Sequence, residues 1–377
     1  MNKKTLIIVA VAVVVVLAIV LGVVLAGGNN TTEATTTTTT NNQTPSNPEK
    51  EYTLGMGIVV SLDSSEKGLA QVDATVATVV LDADGKIVLC RIDAVQNKAD
   101  LNADGTYTIK NLLTKRELGN DYNMAKYGQS MDWNGDGKVL EWYDQANAFE
   151  NYVVGMTAAQ VEAMGTQVVE GSGYVISSDK ALLDAGCTIQ ITDFKAAVVK
   201  ACNDEQGTSF KTNKTFKLGV AADSFVEEKT AAATAAKNGT LNMYSDFAAS
   251  VVVDGKIVAS LNDAIQPSIT FDVAGNIVGT SFVATKRELK DDYNMAKYGQ
   301  SMDWNEDGKV LEWYLQSEAF SNHVVGMTGA EVAEMGTQVV EGAGYVISSD
   351  KALLDAGCTI QITSIKAVVA ESVTNAR

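Results

Sequence analysis

Thr114-Lys115-Arg116-Glu117-Leu118 and Thr285-Lys286-Arg287-Glu288-Leu289 are the same five residues set 171 positions apart. The identity continues past them. Across 114–143 only Gly119, Asn120 and Gly135 differ from the matching stretch 285–314. The same offset carries Asp132 to Asp303, Gly186 to Gly357 and Thr188 to Thr359. Solenoid repeats run to roughly 50 residues at most, so a period this long predicts a whole domain per copy. The first halves diverge much further. Residues 74–93 align loosely with 248–263 through Asp84-Gly85-Lys86-Ile87-Val88 and Asp254-Gly255-Lys256-Ile257-Val258. Near-identity in the second halves fits recent duplication, so it does not by itself single out functional residues.

Local patterns give each copy its elements. Residues 72–81 alternate around β-branched side chains, turn at Asp82-Ala83-Asp84-Gly85 and resume over 87–92, as a β-hairpin does. Trp142, Ala146, Phe149 and Val153 fall at helical spacing. Thr157 with Gln160, and Thr328 with Glu331, form capping boxes that open short helices before Gly165 and Gly336. A further short helix over 178–185 should end at Gly186, followed by a strand over 188–192 and a last helix over 193–201. Strands first and helices later predict an α+β fold. The expected class is therefore α+β, as two tandem homologous domains behind an N-terminal transmembrane helix.

That helix is expected from residues 6–26, an unbroken apolar run after Lys3 and Lys4. About twenty residues rising roughly 1.5 Å each cover the roughly 30 Å hydrocarbon core of a bilayer. The run is long for a cleaved signal peptide, although Val24-Leu25-Ala26 also suits a small-residue cleavage site. The two lysines put the N-terminal end in the cytoplasm and the rest of the chain outside. The Thr-rich stretch that follows has almost no apolar side chains and reads as a flexible stalk. The expected division is an anchor over 1–28, a stalk over 29–50, one copy over 51–206 and the other over 207–377.

A net charge of −17 and a pI near 4.5 exclude the basic footprint that nucleic acid requires. Cys187 and Cys358 occupy matching places, whereas Cys90 and Cys202 have no matching cysteine, which is not a disulfide framework. No His pair for zinc, nucleophile elbow or phosphate-cradling Gly loop occurs, and His323 is the sole histidine. It matches Tyr152, so that position does not require imidazole chemistry. A self-contained enzyme is not indicated.

Three features carry candidate chemistry. The first is Asp132-Trp133-Asn134-Gly135-Asp136-Gly137-Lys138, matched by Asp303-Trp304-Asn305-Glu306-Asp307-Gly308-Lys309. Alternating oxygen side chains followed by Gly form the first half of a calcium loop. Asp132, Asn134, Asp136, Lys138 and Asp303, Asn305, Asp307, Lys309 are the candidate Ca2+ positions. The pattern then fails, because Tyr143 and Tyr314 stand where the bidentate Glu belongs. An acidic turn favouring the N-terminus of the next helix is the competing reading.

The second is Ala185-Gly186-Cys187-Thr188 and its copy Ala356-Gly357-Cys358-Thr359, each ahead of an Ala/Val-rich helix and behind a strand–DGKI–strand hairpin. This layout resembles the FMN-binding domain found in membrane redox pumps and extracytoplasmic flavoproteins. The resemblance implies FMN attached through its phosphate to the Thr of a Ser-Gly-Ala-Thr element. Carried over, Gly186, Cys187 and Thr188, with Gly357, Cys358 and Thr359, are the cofactor-binding candidates. Ala replaces the Ser and Cys replaces the Ala in both copies. The implied role is a flavin-based electron carrier serving a redox partner protein at a bacterial surface. The alternative is a non-redox ligand-binding or structural module, calcium-stabilised.

The third is a set of aromatics. Trp142 and Phe149 are expected in the core, and Tyr122 and Trp133, beside charged and Gly-rich positions, on a cleft; Tyr127 and Tyr143 complete the set.

Overall fold

A computed structural model describes residues 48–377 apart from 125–130, 134, 136, 138, 282, 296, 298–301, 305, 307, 309 and 342–344. The expected anchor and nearly all of the expected stalk lie outside these residues. Among them no helix is long and apolar enough to cross a membrane. The described residues from Pro48 to Arg377 form one compact unit of mixed α and β structure with antiparallel sheets.

Copy one opens with β1 (Lys50–Ser61), β2 (Leu69–Leu81), β3 (Ile87–Leu101) and β4 (Tyr107–Asn111). Helices α1 (Lys115–Leu118), α2 (Trp142–Tyr152) and α3 (Ala158–Glu162) follow, then a small hairpin of β5 (Thr166–Val168) and β6 (Val175–Ser177). Helices α4 (Lys180–Asp184) and α5 (Thr192–Cys202) close it. After β7 (Thr208–Thr212), copy two repeats the order. Its strands are β8 (Lys217–Val226), β9 (Gly239–Val253), β10 (Lys256–Ile265), β11 (Ser268–Phe271) and β12 (Ile277–Ser281). Helices α6 (Lys286–Leu289), α7 (Trp313–His323) and α8 (Gly329–Ala333), the hairpin β13 (Thr337–Val339) with β14 (Val346–Ser348), and helices α9 (Lys351–Asp355) and α10 (Thr363–Thr374) complete it.

The first sheet runs β4-β3-β2-β1-β7, all neighbours antiparallel. The second runs from β8 through β9 to β10, with β11 and β12 continuing from the other end of β9. The expected hairpin turn is present, with Gly85 at φ 71° and Asp82 Oδ1 accepting from the amides of Asp84 and Lys86. Copy two makes this turn with two residues, Asp254 (φ 49°) and Gly255 (φ 79°), as a two-residue hairpin requires. Strand β3 has its counterpart in β10 and β11 together. Pro267, which lacks an N–H, sits in the gap between them. The register survives the gap, since Ile265 lies opposite Ser245 and Ser268 opposite Asn242.

Four layers result: helices, sheet, sheet, helices. Alternation along β2 shows why. Val72, Ala74 and Val76 face a central core shared with Leu218, Phe247 and Val251 of copy two. Ala77 and Val79 face the opposite way, against Trp142, Phe149 and Phe194. The second sheet does the same over Trp313, Phe320 and Ile365. A sheet covered on both faces needs the nearly continuous apolar run seen in 74–81. Helix α5 crosses β1 so closely that a Cβ on Gly55 would stand 2.0 Å from the carbonyl oxygen of Ala201. Gly219 meets α10 equivalently, 1.8 Å from the carbonyl oxygen of Ser372.

The expected helices form, with both capping boxes in place. Two expectations need correction. Residues 188–191 form no strand: the Thr188 amide donates to Gln145 of α2, and of the backbone amides only that of Ile191 reaches β6, at the Val175 carbonyl. The register also sets Ala74 opposite Val95 and Ser245 opposite Ile265, so the place of Ala74 is taken by Ser245 rather than Ala248.

Candidate functional site

The identical pentapeptides build matching corners. Thr114 caps α1 by accepting from the Glu117 amide at 3.1 Å, while Glu117 accepts from the Thr114 amide at 2.7 Å. Asp93 on β3 accepts from the amides of Ala94 (2.7 Å) and Arg116 (3.3 Å), fixing the helix to the sheet. Thr285, Glu288 and Asp263 repeat this in copy two. The first helical residue, Lys115 or Lys286, is thereby aimed into a cleft between sheet and helices.

In copy two the Lys286 ammonium stands 4.6, 4.7 and 5.2 Å from the ring centres of Tyr244, Tyr293 and Trp313. It donates to Tyr244 Oη at 2.9 Å and is 5 % exposed. Tyr293 Oη donates to Gln266 Oε1 at 2.9 Å, and Gln266 Nε2 donates to Glu227 at 2.7 Å. In copy one Lys115 lies 5.1 Å from the Tyr122 ring and 5.3 Å from Trp142. The copy-two cleft holds about 590 Å³ and the copy-one cleft about 240 Å³. Drug-sized ligands occupy roughly 300–1,000 Å³, so copy two offers the roomier site.

Burial sets the electrostatics. It pulls the Lys286 ammonium down to about 8, with the Asp246 carboxylate opposing the shift. Burial also pushes Asp246 up to about 6, against the hydrogen bond from Ser364 and the charge of Lys286. Asp246 is 2 % exposed, and its Oδ2 has no hydrogen-bond partner. The cleft therefore combines two lysines, a carboxylate oxygen still open to a donor, amide side chains and five aromatic rings.

Of the expected cofactor residues, only Thr359 lines a cleft. Gly186 (φ 96°) and Gly357 (φ 92°) end α4 and α9, with the amides of Cys187 and Cys358 returning to Leu182 and Leu353. Both thiols are buried, and burial raises each to about 12. Thr188 and Thr359 are also buried. Each donates through amide and hydroxyl to one side-chain oxygen, Gln145 for Thr188 (2.8 and 3.2 Å) and Gln316 for Thr359 (2.7 and 3.1 Å). Thr359 borders the copy-two cleft.

Of the calcium candidates, Asn134, Asp136, Lys138, Asn305, Asp307 and Lys309 lie outside the described residues. Asp132 and Asp303 accept from the amides of Gly137 (2.9 Å) and Gly308 (2.8 Å), closing their turns. Among the described residues no three His, Cys, Asp or Glu side chains gather as a metal site.

Tyr122 lines its cleft as expected, and Phe149 is core. Trp142 is both, being 2 % exposed at the cleft floor. Trp133 is solvent-exposed and belongs to neither cleft lining. Tyr127 lies outside the described residues. Sequence reading missed the lysines, Asp246, and the Gln96 and Gln266 pair. One signal was available: Asp93-Ala94-Val95-Gln96 and Asp263-Ala264-Ile265-Gln266 match within halves that otherwise diverge.

No family model, no curated protein and no solved structure matches the chain.

Proposed function

We propose that the protein is a membrane-tethered, extracytoplasmic carrier in which two homologous copies, 51–206 and 207–377, each present one ligand cleft of the same kind. The observation that carries this reading is the repeated corner of lysine, tyrosine, tryptophan and glutamine around a concave, half-buried space. Aromatic walls favour a flat, conjugated ligand, and a lysine beside them favours electron-rich oxygens on its edge. A flavin meets both demands, and the residues present fit one. Its ring would lie among Tyr244, Tyr293 and Trp313, within reach of Lys286 and Gln266. When bound it would supply electron transfer, and the protein would tune it through the charge beside the ring. The protein would then serve as an electron carrier for a redox partner.

The Gln145 and Gln316 clasps occupy the hydroxyls of Thr188 and Thr359, which supports a ligand held without a covalent bond. The visible spectrum of the full-length protein, purified in detergent and then denatured, tests this reading. Flavin absorbance that leaves the chain on denaturation is expected. Absorbance that stays with the chain would instead establish attachment. A colourless protein that also fails to quench added FMN would favour the non-redox surface module.

A further inference from the structure

Each cleft places a carboxylate beside its lysine, from opposite walls in the two copies, and the copy-two lining adds Asp223 and Glu227. In copy two Asp246 stands on β9 and the Ser364 hydroxyl, at the start of α10, hydrogen-bonds it. In copy one the place of Asp246 is held by Thr75, since Thr75 lies opposite Ala94 as Asp246 lies opposite Ala264. The place of Ser364 is held by Asp193 on α5. Carboxylate and hydroxyl have changed places across the cleft. The lysine charge favours the ionised carboxylate in both settings, Lys115 acting on Asp193 and Lys286 on Asp246. The pair is buried in copy two, while Asp193 is exposed in copy one.

These substitutions fall in stretches where the copies have diverged, so shared ancestry does not explain why a carboxylate persists. Asp246 offsets the charge of the buried Lys286, but its Oδ2 has no hydrogen-bond partner, which disfavours folding unless something donates to it. A ligand donor would satisfy that oxygen.

We propose that the lysine–carboxylate pair is the recognition element of both clefts, reading a heteroaromatic amide or imide edge. The ammonium donates to a ring carbonyl, and the carboxylate accepts from the adjacent ring N–H. This rests on the aromatic-ligand reading above and narrows it to ligands with a –CO–NH– edge. Copy two, with its pair buried and its cleft larger, holds such an edge more tightly than copy one.

The test compares riboflavin with 3-methylriboflavin, which lacks the edge N–H, by fluorescence quenching on the full-length protein in detergent. Riboflavin is expected to bind at the copy-two cleft about tenfold to a hundredfold more tightly than its methylated analogue. Asp246→Thr should abolish that discrimination, and Asp246→Thr with Ser364→Asp, which rebuilds the copy-one arrangement, should restore it. Near-UV circular dichroism checks that both variants remain folded. Equal binding of the two flavins would overturn the edge-recognition proposal and leave the carrier reading standing. Failure of both to bind would overturn the two together. Loss of discrimination that the double variant does not restore would show Asp246 acting through structure alone.

Discussion

Thr188 and Thr359 are both buried, and of the two only Thr359 borders a cleft. Their local sequence suggested an attachment point, whereas the fold uses them to clasp a buried glutamine from the preceding long helix. Gln316 also donates to the Leu311 carbonyl at 2.7 Å, so it ties three segments together. Replacing Gln316 with Leu should cost about 2–4 kcal/mol, measured by urea denaturation, because the amide and hydroxyl of Thr359 lose their acceptor. A loss below about 0.5 kcal/mol would show the clasp to be incidental. Lys286 was illegible for a different reason. A lysine opening a capped helix usually points to solvent, and only the distant β9, α7 and the turn holding Tyr293 bring rings around it. His323 and Tyr152 are clearer. Tyr152 Oη donates to Asp179, whereas His323 Nε2 lies 3.4 Å from the equivalent Asp350 without a hydrogen bond, so the position does not depend on imidazole.

Asp93 and Asp263 give the residue scale a pH signature. Burial raises both carboxyls from the usual 3.8 to about 6, so the folded protein holds these protons more firmly than the unfolded chain. Their contribution is therefore fully present below about pH 4 and is lost as pH rises through about 6. Melting temperature should fall between pH 4.5 and 7 by this route, and the double variant Asp93→Asn, Asp263→Asn should flatten that slope in differential scanning calorimetry. An unchanged slope would assign the effect to other groups.

Among the elements, periodicity revealed the central hairpin and the amphipathic helices, because those segments carry their pattern locally. It failed where the pattern depends on a partner. Strand β1 has a mixed sequence, including Gly55 and Gly57, that makes sense only when α5 lies across it. The turn at 188–191 alternates like a strand, yet its first amide, that of Thr188, is claimed by Gln145. Gly219→Ala tests the crossing most sharply, since the new methyl would meet the Ser372 carbonyl oxygen at 1.8 Å. Helix α10 would have to shift, at a cost of about 1–3 kcal/mol or more. Gly255→Ala, whose Cβ would meet nothing within 4 Å, controls for backbone strain at its positive φ.

At the scale of the molecule, the repeat was plain in the sequence but the packing of its copies was not. Copies that read as separable beads share a central core, and their ionic contacts cross between them. Arg287 of copy two grips both oxygens of Asp204 at 3.1 Å, and Asp204 also accepts from the Met56 amide. Arg377 reaches Glu150 at 2.9 Å, where Arg116 already pairs at 2.5 Å. Asp204 and Glu150 are nearly buried, so removing either carboxylate would strand a cation; Asp204→Ala should cost about 3–5 kcal/mol. Calorimetry should accordingly find one cooperative transition for both copies, and two resolved transitions would show that the shared core does not couple them.

Under the proposed function, each copy offers one lysine-and-aromatic cleft for the same class of flat ligand, with copy two the stronger. Isothermal titration of the full-length protein with FMN tests it most directly, alongside the Lys286→Met variant. A tighter and a weaker site are expected in the native protein, with only the tighter one lost in the variant. Absence of binding in the native protein, or affinity that ignores Lys286, would contradict it.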